Sequence, residues 1–104
     1  MNCLNQCIIE GTVCSTPRIA TSCTPAMCNF NIRVDRHYKT TDGDDATESS
    51  VFECVFKANE QCFSRIKRDK NIRLVGYLRQ DWDSVDGTQV PLVQIIVEHI
   101  DSKY

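Results

Sequence analysis

Aromatic and basic side chains interleave along this sequence: Arg33, Arg36, His37, Tyr38 and Lys39, then Lys57, then Arg73, Tyr77, Arg79 and Trp82. Such a mixture suits one chemistry above others. Rings stack on the faces of unpaired bases, Lys and Arg track the phosphates, and no base sequence needs to be read. Tyr38, between His37 and Lys39, and Trp82, the single tryptophan, next to acids at the end of a strand, are the candidates for stacking. Arg33, Arg36, Lys39, Lys57, Arg73 and Arg79 are the candidates for phosphate contacts. Tyr77 fits a ligand contact and a subunit contact equally well. Phe52 and Phe56 read as core, because they alternate with the wetter face of Val51, Glu53, Val55 and Lys57. The basic run Arg65, Lys67, Arg68 and Lys70 reads as the solvated face of a helix.

Catalytic arrangements are missing. The sequence holds no Gly-x-Ser-x-Gly elbow, no glycine-rich phosphate loop ahead of a helix and no His-Glu-x-x-His. His37 and His99 are far apart and read as ordinary strand or surface residues; Asp81 and Asp83 read as turn acids that serve backbone hydrogen bonds. A binding protein is expected rather than an enzyme, with no cofactor and no metal. Seven cysteines, at positions 3, 7, 14, 23, 28, 54 and 62, form neither an even disulfide set nor a Cys-x-x-Cys pair for zinc. They read as reduced thiols of a cytoplasmic protein, mostly small apolar core residues. The first residues lack the basic, apolar and cleavage regions of a secretory signal, and no apolar run is long enough for a bilayer. A net charge of −2 announces no polyanion, yet acids gather at Asp42, Asp44, Asp45 and Glu48 and again at Asp81, Asp83 and Asp86. A basic face can hide behind that total.

Strands must position these residues. The chain, 104 residues long, is expected to make one domain over 1–104, and β-branched and aromatic residues alternate with polar ones almost throughout. A first strand spans about Cys3 to Val13. Cys7, Ile9 and Val13 share one face while Leu4 and Ile8 make the other apolar, so Leu4 and Ile8 join Tyr77 as candidate subunit contacts. Gly11 signals a bulge or a sharp bend. The second strand is Met27 to Tyr38, with Phe30, Ile32 and Val34 inward. Residues 40–50, acidic around Asp42-Gly43-Asp44, read as the tip of a long hairpin. A third strand, Val51 to Lys57, precedes a short helix within Ala58 to Lys70 whose Cys62, Phe63 and Ile66 face inward. Ile72 to Trp82 and Val90 to Ile100, joined through an Asp86-Gly87 turn, complete five strands. Three strands, one helix and two more strands give the order of an all-β OB-fold, a five-stranded Greek-key barrel with one short helix between strands three and four.

The same motifs, in order and over nearly the whole length, resemble the bacterial single-stranded DNA-binding protein family. The opening Met1-Asn2, the apolar strand reaching Glu10-Gly11, and Pro17 follow its N-terminal pattern. Phe30 to Tyr38 looks like its second-strand motif, and Val75-Gly76-Tyr77-Leu78-Arg79 with Trp82 and Asp86-Gly87 is similar to its fourth strand and turn. The resemblance implies an OB barrel, assembled as a homotetramer, that binds and protects single-stranded DNA in replication, repair and recombination. It implies Tyr38 and Trp82 as stacking residues and a third aromatic in strand three, at Phe56, Phe52 or neither. Strict alternation places Tyr38 and Trp82 on the core parity of their strands, so they reach a ligand only if the strand is bulged or runs beyond the barrel.

The family continues into a flexible linker and an acidic tip that recruits replication proteins. This sequence stops at Asp101-Ser102-Lys103-Tyr104, so recruitment through such a tip is not expected, nor is a membrane partner. The alternative reading is an OB-fold replication-restart accessory or protein-interaction scaffold resembling primosomal replication protein N, a homodimer with weak or no DNA binding. Gly11-Thr12-Val13-Cys14 and the short C-terminus suit it.

Overall fold

The computed structural model of the chain describes residues 2–103; Met1 and Tyr104, which open and close the motifs above, lie outside the described residues. The strands are β1 Cys7–Val13, β2 Arg18–Ala20, β3 Ala26–Lys39, β4 Asp45–Ala58, β5 Asn71–Val85 and β6 Thr88–Lys103, with one 3-10 helix, Glu60–Arg65, between β4 and β5. Pairing runs β1-β5-β6-β4-β3, and β3 returns to β1, which closes a five-stranded barrel. Among the described residues only the β4–β6 pairing is parallel. This is the all-β, OB-like barrel expected from the alternation. The short strand β2, an edge on β3, was not expected.

Alternation decides the core. Cys28, Phe30 and Ile32 of β3 meet Cys54 and Phe56 of β4, Ile72 and Leu74 of β5, and Ile95 and Val97 of β6, all buried. The helix is a 3-10 turn, in which residues three apart superpose, so Phe63 and Ile66 both drop into the barrel end. Cys62 falls outside that row and is exposed, which corrects the inward face expected for it. At Gly11 a Cβ would overlap the Arg33 carbonyl oxygen, because β3 arrives there to pair with Thr12 and Val13. The β1–β5 register runs through Gly11 unbroken. The irregularity lies instead in β5–β6, between Val75 and Gly76.

The hairpins are longer than the sequence reading made them. β3 and β4 pair from Ala26↔Ala58 to Lys39↔Asp45, so only residues 40–44 form the loop and Asp45 to Ser50 belong to a strand. Cross-strand polar pairs explain the extension. Lys39 Nζ lies 2.7 Å from Asp45, the Ser49 hydroxyl donates to Asp35 at 2.7 Å, and His37 Nδ1 meets the Thr47 hydroxyl at 3.0 Å. β5 and β6 pair as far as Val85↔Thr88, where Asp86 and Gly87, with φ of 51° and 78°, make the two-residue turn that an Asp-Gly pair favours. β1 begins later than expected. Ahead of it the Asn5 amide donates to the Leu78 carbonyl at 2.7 Å and accepts the Leu78 N–H at 3.0 Å, replacing one rung of a ladder.

The cysteines divide by burial. Cys28 and Cys54 sit in the core, while Cys3, Cys23 and Cys62 are exposed and Cys7 and Cys14 half-buried, so most of them are not core residues. Burial pushes the Cys28 thiol up to about 11 and the Cys54 thiol up to about 12. Brief alkylation of the native protein should therefore label Cys3, Cys23 and Cys62 and spare Cys28 and Cys54, which react only in denaturant; peptide mass mapping reads the difference. The linkage has one sign. Both pKa values are raised by folding, so these thiols leave stability untouched below about pH 9 and erode it as pH climbs from there toward 11 and 12.

Candidate nucleic-acid interface

Past the barrel, the inward row of each long strand loses the wall it faces. On β3 the row Cys28, Phe30, Ile32 continues as Val34, Arg36 and Tyr38; on β4 the row Phe56, Cys54 continues as Phe52, Ser50, Glu48 and Ala46. Register pairs Ile32↔Phe52, Arg36↔Glu48 and Tyr38↔Ala46 put these side chains on one face of the β3–β4 arm. Tyr38 and Phe52 are each 39% exposed. A shallow cleft of about 410 Å³ opens beside Tyr38, lined by His37, Lys39, Ala46 and Thr47.

The β5–β6 arm repeats the device. Leu78, Gln80 and Trp82 extend the row of Ile72 and Leu74, with Val93 opposite Gln80 and Pro91 opposite Trp82. Trp82 is 58% exposed. Both arms carry their core-parity rings to solvent by running beyond the barrel, and on β5 the strand first passes the irregularity at Val75 and Gly76. Exposed Leu78 and Val93 share this face; the sequence reading missed them, since only the cross-strand register reveals them.

Phe56 is corrected. It is 8% exposed and packs edge-to-face on Phe63, with ring centroids 5.8 Å apart and planes at 66°, so it holds the core and offers no surface to a base. Phe52 is then the strand-three aromatic that remains.

The cations stand differently from the rings. Arg33, Lys39, Lys57, Arg73 and Arg79 fall on the parity opposite to Tyr38, Phe52 and Trp82; Arg36 alone shares the aromatic face, its guanidinium 5.2 Å from the Tyr38 ring centroid. Four of the six are already paired: Arg33 with Asp35 at 3.4 Å, Arg36 with Glu48 at 3.8 Å, Lys39 with Asp45 at 2.7 Å, and Arg73 with Glu10 at 2.5 Å. The Ser49 hydroxyl first, and Arg33 beside it, hold the Asp35 carboxyl below the usual carboxylate range. Arg79 donates to Gln94 at 3.1 Å, which donates in turn to Glu53 at 2.9 Å. The four exposed ion pairs are worth little and exchange readily, but each sets a carboxylate beside a candidate cation.

Two of the candidate subunit contacts come together. Ile8 lies opposite Val75, and Tyr77, two residues along β5, lies opposite Ile96, so both occupy the outer face of β1, β5 and β6. Ile8 is 67% exposed and Tyr77 half-buried. Leu4, 92% exposed, precedes β1. Among the described residues β3 pairs with β1 only at Thr12 and Val13, so from Cys7 to Ile9 the edge of β1 away from β5 has no strand partner.

No family model matches the sequence, and no curated protein matches it. Solved structures do match the fold. A Plasmodium falciparum SSB in complex with ssDNA superposes with a TM-score of 0.85 at 11% identity, covering 100% of this chain and 98% of that one. The small single-stranded DNA-binding protein of Streptomyces coelicolor gives 0.78 at 15% identity over 99% and 96%. A deletion mutant of the single-stranded DNA-binding protein from Thermus aquaticus gives 0.79 at 20% identity, over 97% of this chain and 51% of that one. The likeness is one of architecture, and the chain shares the OB-type barrel of these three single-stranded DNA-binding proteins.

Proposed function

We propose that this protein binds single-stranded DNA with little sequence preference and protects it during replication, repair and recombination, as a non-enzymatic, cytoplasmic homo-oligomer. One observation carries the reading. Tyr38, Phe52 and Trp82 stand exposed on core-parity faces of strands that outlast the barrel, an arrangement costly to keep in water and suited to stacking. Arg36, on the face of Tyr38, is the cation best placed for a phosphate beside a stacked base. That one of the structural neighbours was solved with ssDNA adds support.

Assembly follows from energetics. Stacking contributes roughly 1–3 kcal/mol per base, a modest sum for one subunit, and several subunits on one strand multiply it. The unpaired edge of β1 with Ile8 and Tyr77 beside it is a natural seam for a second copy. The carboxylates paired to the arm cations favour the second reading, a dimeric restart accessory or protein-binding scaffold with weak or no DNA binding.

Titration of Trp82 fluorescence with a long oligothymidylate tests both readings. Quenching should saturate, and affinity should fall roughly 50-fold between about 50 and 200 mM salt if about four phosphates per subunit are neutralised. Absent quenching, with silence in a second binding assay, would leave the scaffold. Light scattering on the same sample distinguishes a tetramer, expected of the first reading, from the dimer of the second.

A further inference from the structure

The charge that the aromatic arms compensate is left free at the other end of the barrel. Residues 57–70 hold five Lys or Arg against Glu60 and Asp69, a net +3 in a chain of net −2, which leaves −5 for the remainder. Among the described residues Lys67, Arg68 and Lys70 form no ion pair, whereas Arg33, Arg36, Lys39 and Arg73 each form one. Arg65 gives one N–H to the Ile100 carbonyl at 3.3 Å. Ser64, Arg65, Lys67, Lys70 and Asn71 line a groove of about 520 Å³, in whose lining Asp69 is the one carboxylate among the described residues.

The cations are carried on fixed backbone. Val13 donates its N–H to the Lys70 carbonyl at 2.9 Å and accepts that of Asp69 at 2.8 Å, which pins the turn to β1. Among the described residues no exposed aromatic ring lines the groove, and Phe63 is buried. This end therefore offers phosphate neutralisation without stacking, and the arms offer stacking with little uncompensated charge. We infer that Arg65, Lys67, Arg68 and Lys70 form a second contact surface, for the phosphate backbone of the same single strand whose bases stack on the arms. The inference rests on the binding reading above and extends it. Asn71, beside the groove, and Trp82 are separated by about 36 Å along β5 at ~3.3 Å per residue. A strand must run on the order of 11 nucleotides, at ~3.4 Å each, to touch both ends.

The test compares the wild type with the triple variant Lys67→Gln, Arg68→Gln, Lys70→Gln, by Trp82 quenching with oligothymidylates of about 6 and about 35 nucleotides, one too short and one long enough to join the two ends. Both proteins should bind the short strand alike. For the long strand, three contacts at a slope of ~0.7 each mean that the wild type loses roughly 20-fold more affinity than the variant between about 50 and 200 mM salt. Equal salt dependence of the two proteins on the long strand overturns the inference and leaves the parent reading intact. If neither strand quenches the wild type, the parent reading fails and the inference with it. Capture of an oligoglutamate by the wild type alone, with equal DNA salt slopes, overturns it too and assigns the patch to an acidic protein segment.

Discussion

Replacing Tyr38 and Trp82 with alanine lowers affinity for an oligothymidylate by roughly 5- to 150-fold each, following the ~1–3 kcal/mol of a stacked base, and the pair together by roughly 25-fold or more. The rings lie on separate arms, one at the end of β3 and one near the end of β5, so their losses should nearly add. Melting temperature should hardly move, because both side chains are exposed and pack against no opposing wall. Phe56→Ala supplies the contrast. That ring is core, and its loss should cost about 3–5 kcal/mol of stability with no direct loss of a stacked base. Binding measured by anisotropy, alongside thermal melting, separates the two classes. A double variant that binds as the wild type does would remove stacking from the mechanism.

Gly76→Ala should be among the most damaging single-methyl changes in the chain. An added Cβ would stand 3.0 Å from the Ile96 carbonyl carbon and 3.2 Å from Val97 Cα, and would overlap the Ile96 carbonyl oxygen. All three are backbone, so no side chain can swing aside. The contact lies at the β5–β6 irregularity, where the barrel passes into the arm carrying Trp82. Overpacking of this kind costs about 1–3 kcal/mol. At the upper end the melting temperature falls by roughly 12–24 °C in a domain of this size, which a calorimetric scan reads directly. Gly87→Ala should fall far less, since nothing lies within 4 Å of its added methyl and only the positive φ of 78° opposes it.

What the sequence made legible follows from where each signal resides. Alternation around Phe30 and Ile32, or Ile72 and Leu74, is local, and it placed these residues in the core, though the same signal misled at Phe52. The six-residue helix was harder, because Cys62, Phe63 and Ile66 fit a 3.6-residue period until the observed three-residue turn expels Cys62. Hairpin length was misread at Asp45 to Ser50. A polar strand stabilised by pairs such as Lys39–Asp45 looks like a loop when only one of its edges is visible. The aromatic candidates Tyr38 and Trp82 were found by type, but the opposite parity of Arg33, Lys39, Arg73 and Arg79, and the carboxylates held by three of them, depend on register between distant segments. Periodicity within one strand carries no such information.

The continuous row from Phe30 through Ile32 and Val34 to Tyr38 also makes the ring's position a matter of phase. One residue inserted between Ile32 and Tyr38 without a compensating bulge would leave the barrel upstream as it is and turn the ring to the ribbon's other side, among Asp35 and His37. Two would restore it, one step farther from the barrel. The arm can therefore lengthen only in even increments without reversing what it presents, so its reach is quantised at about 6.6–6.8 Å, twice the rise of a strand residue.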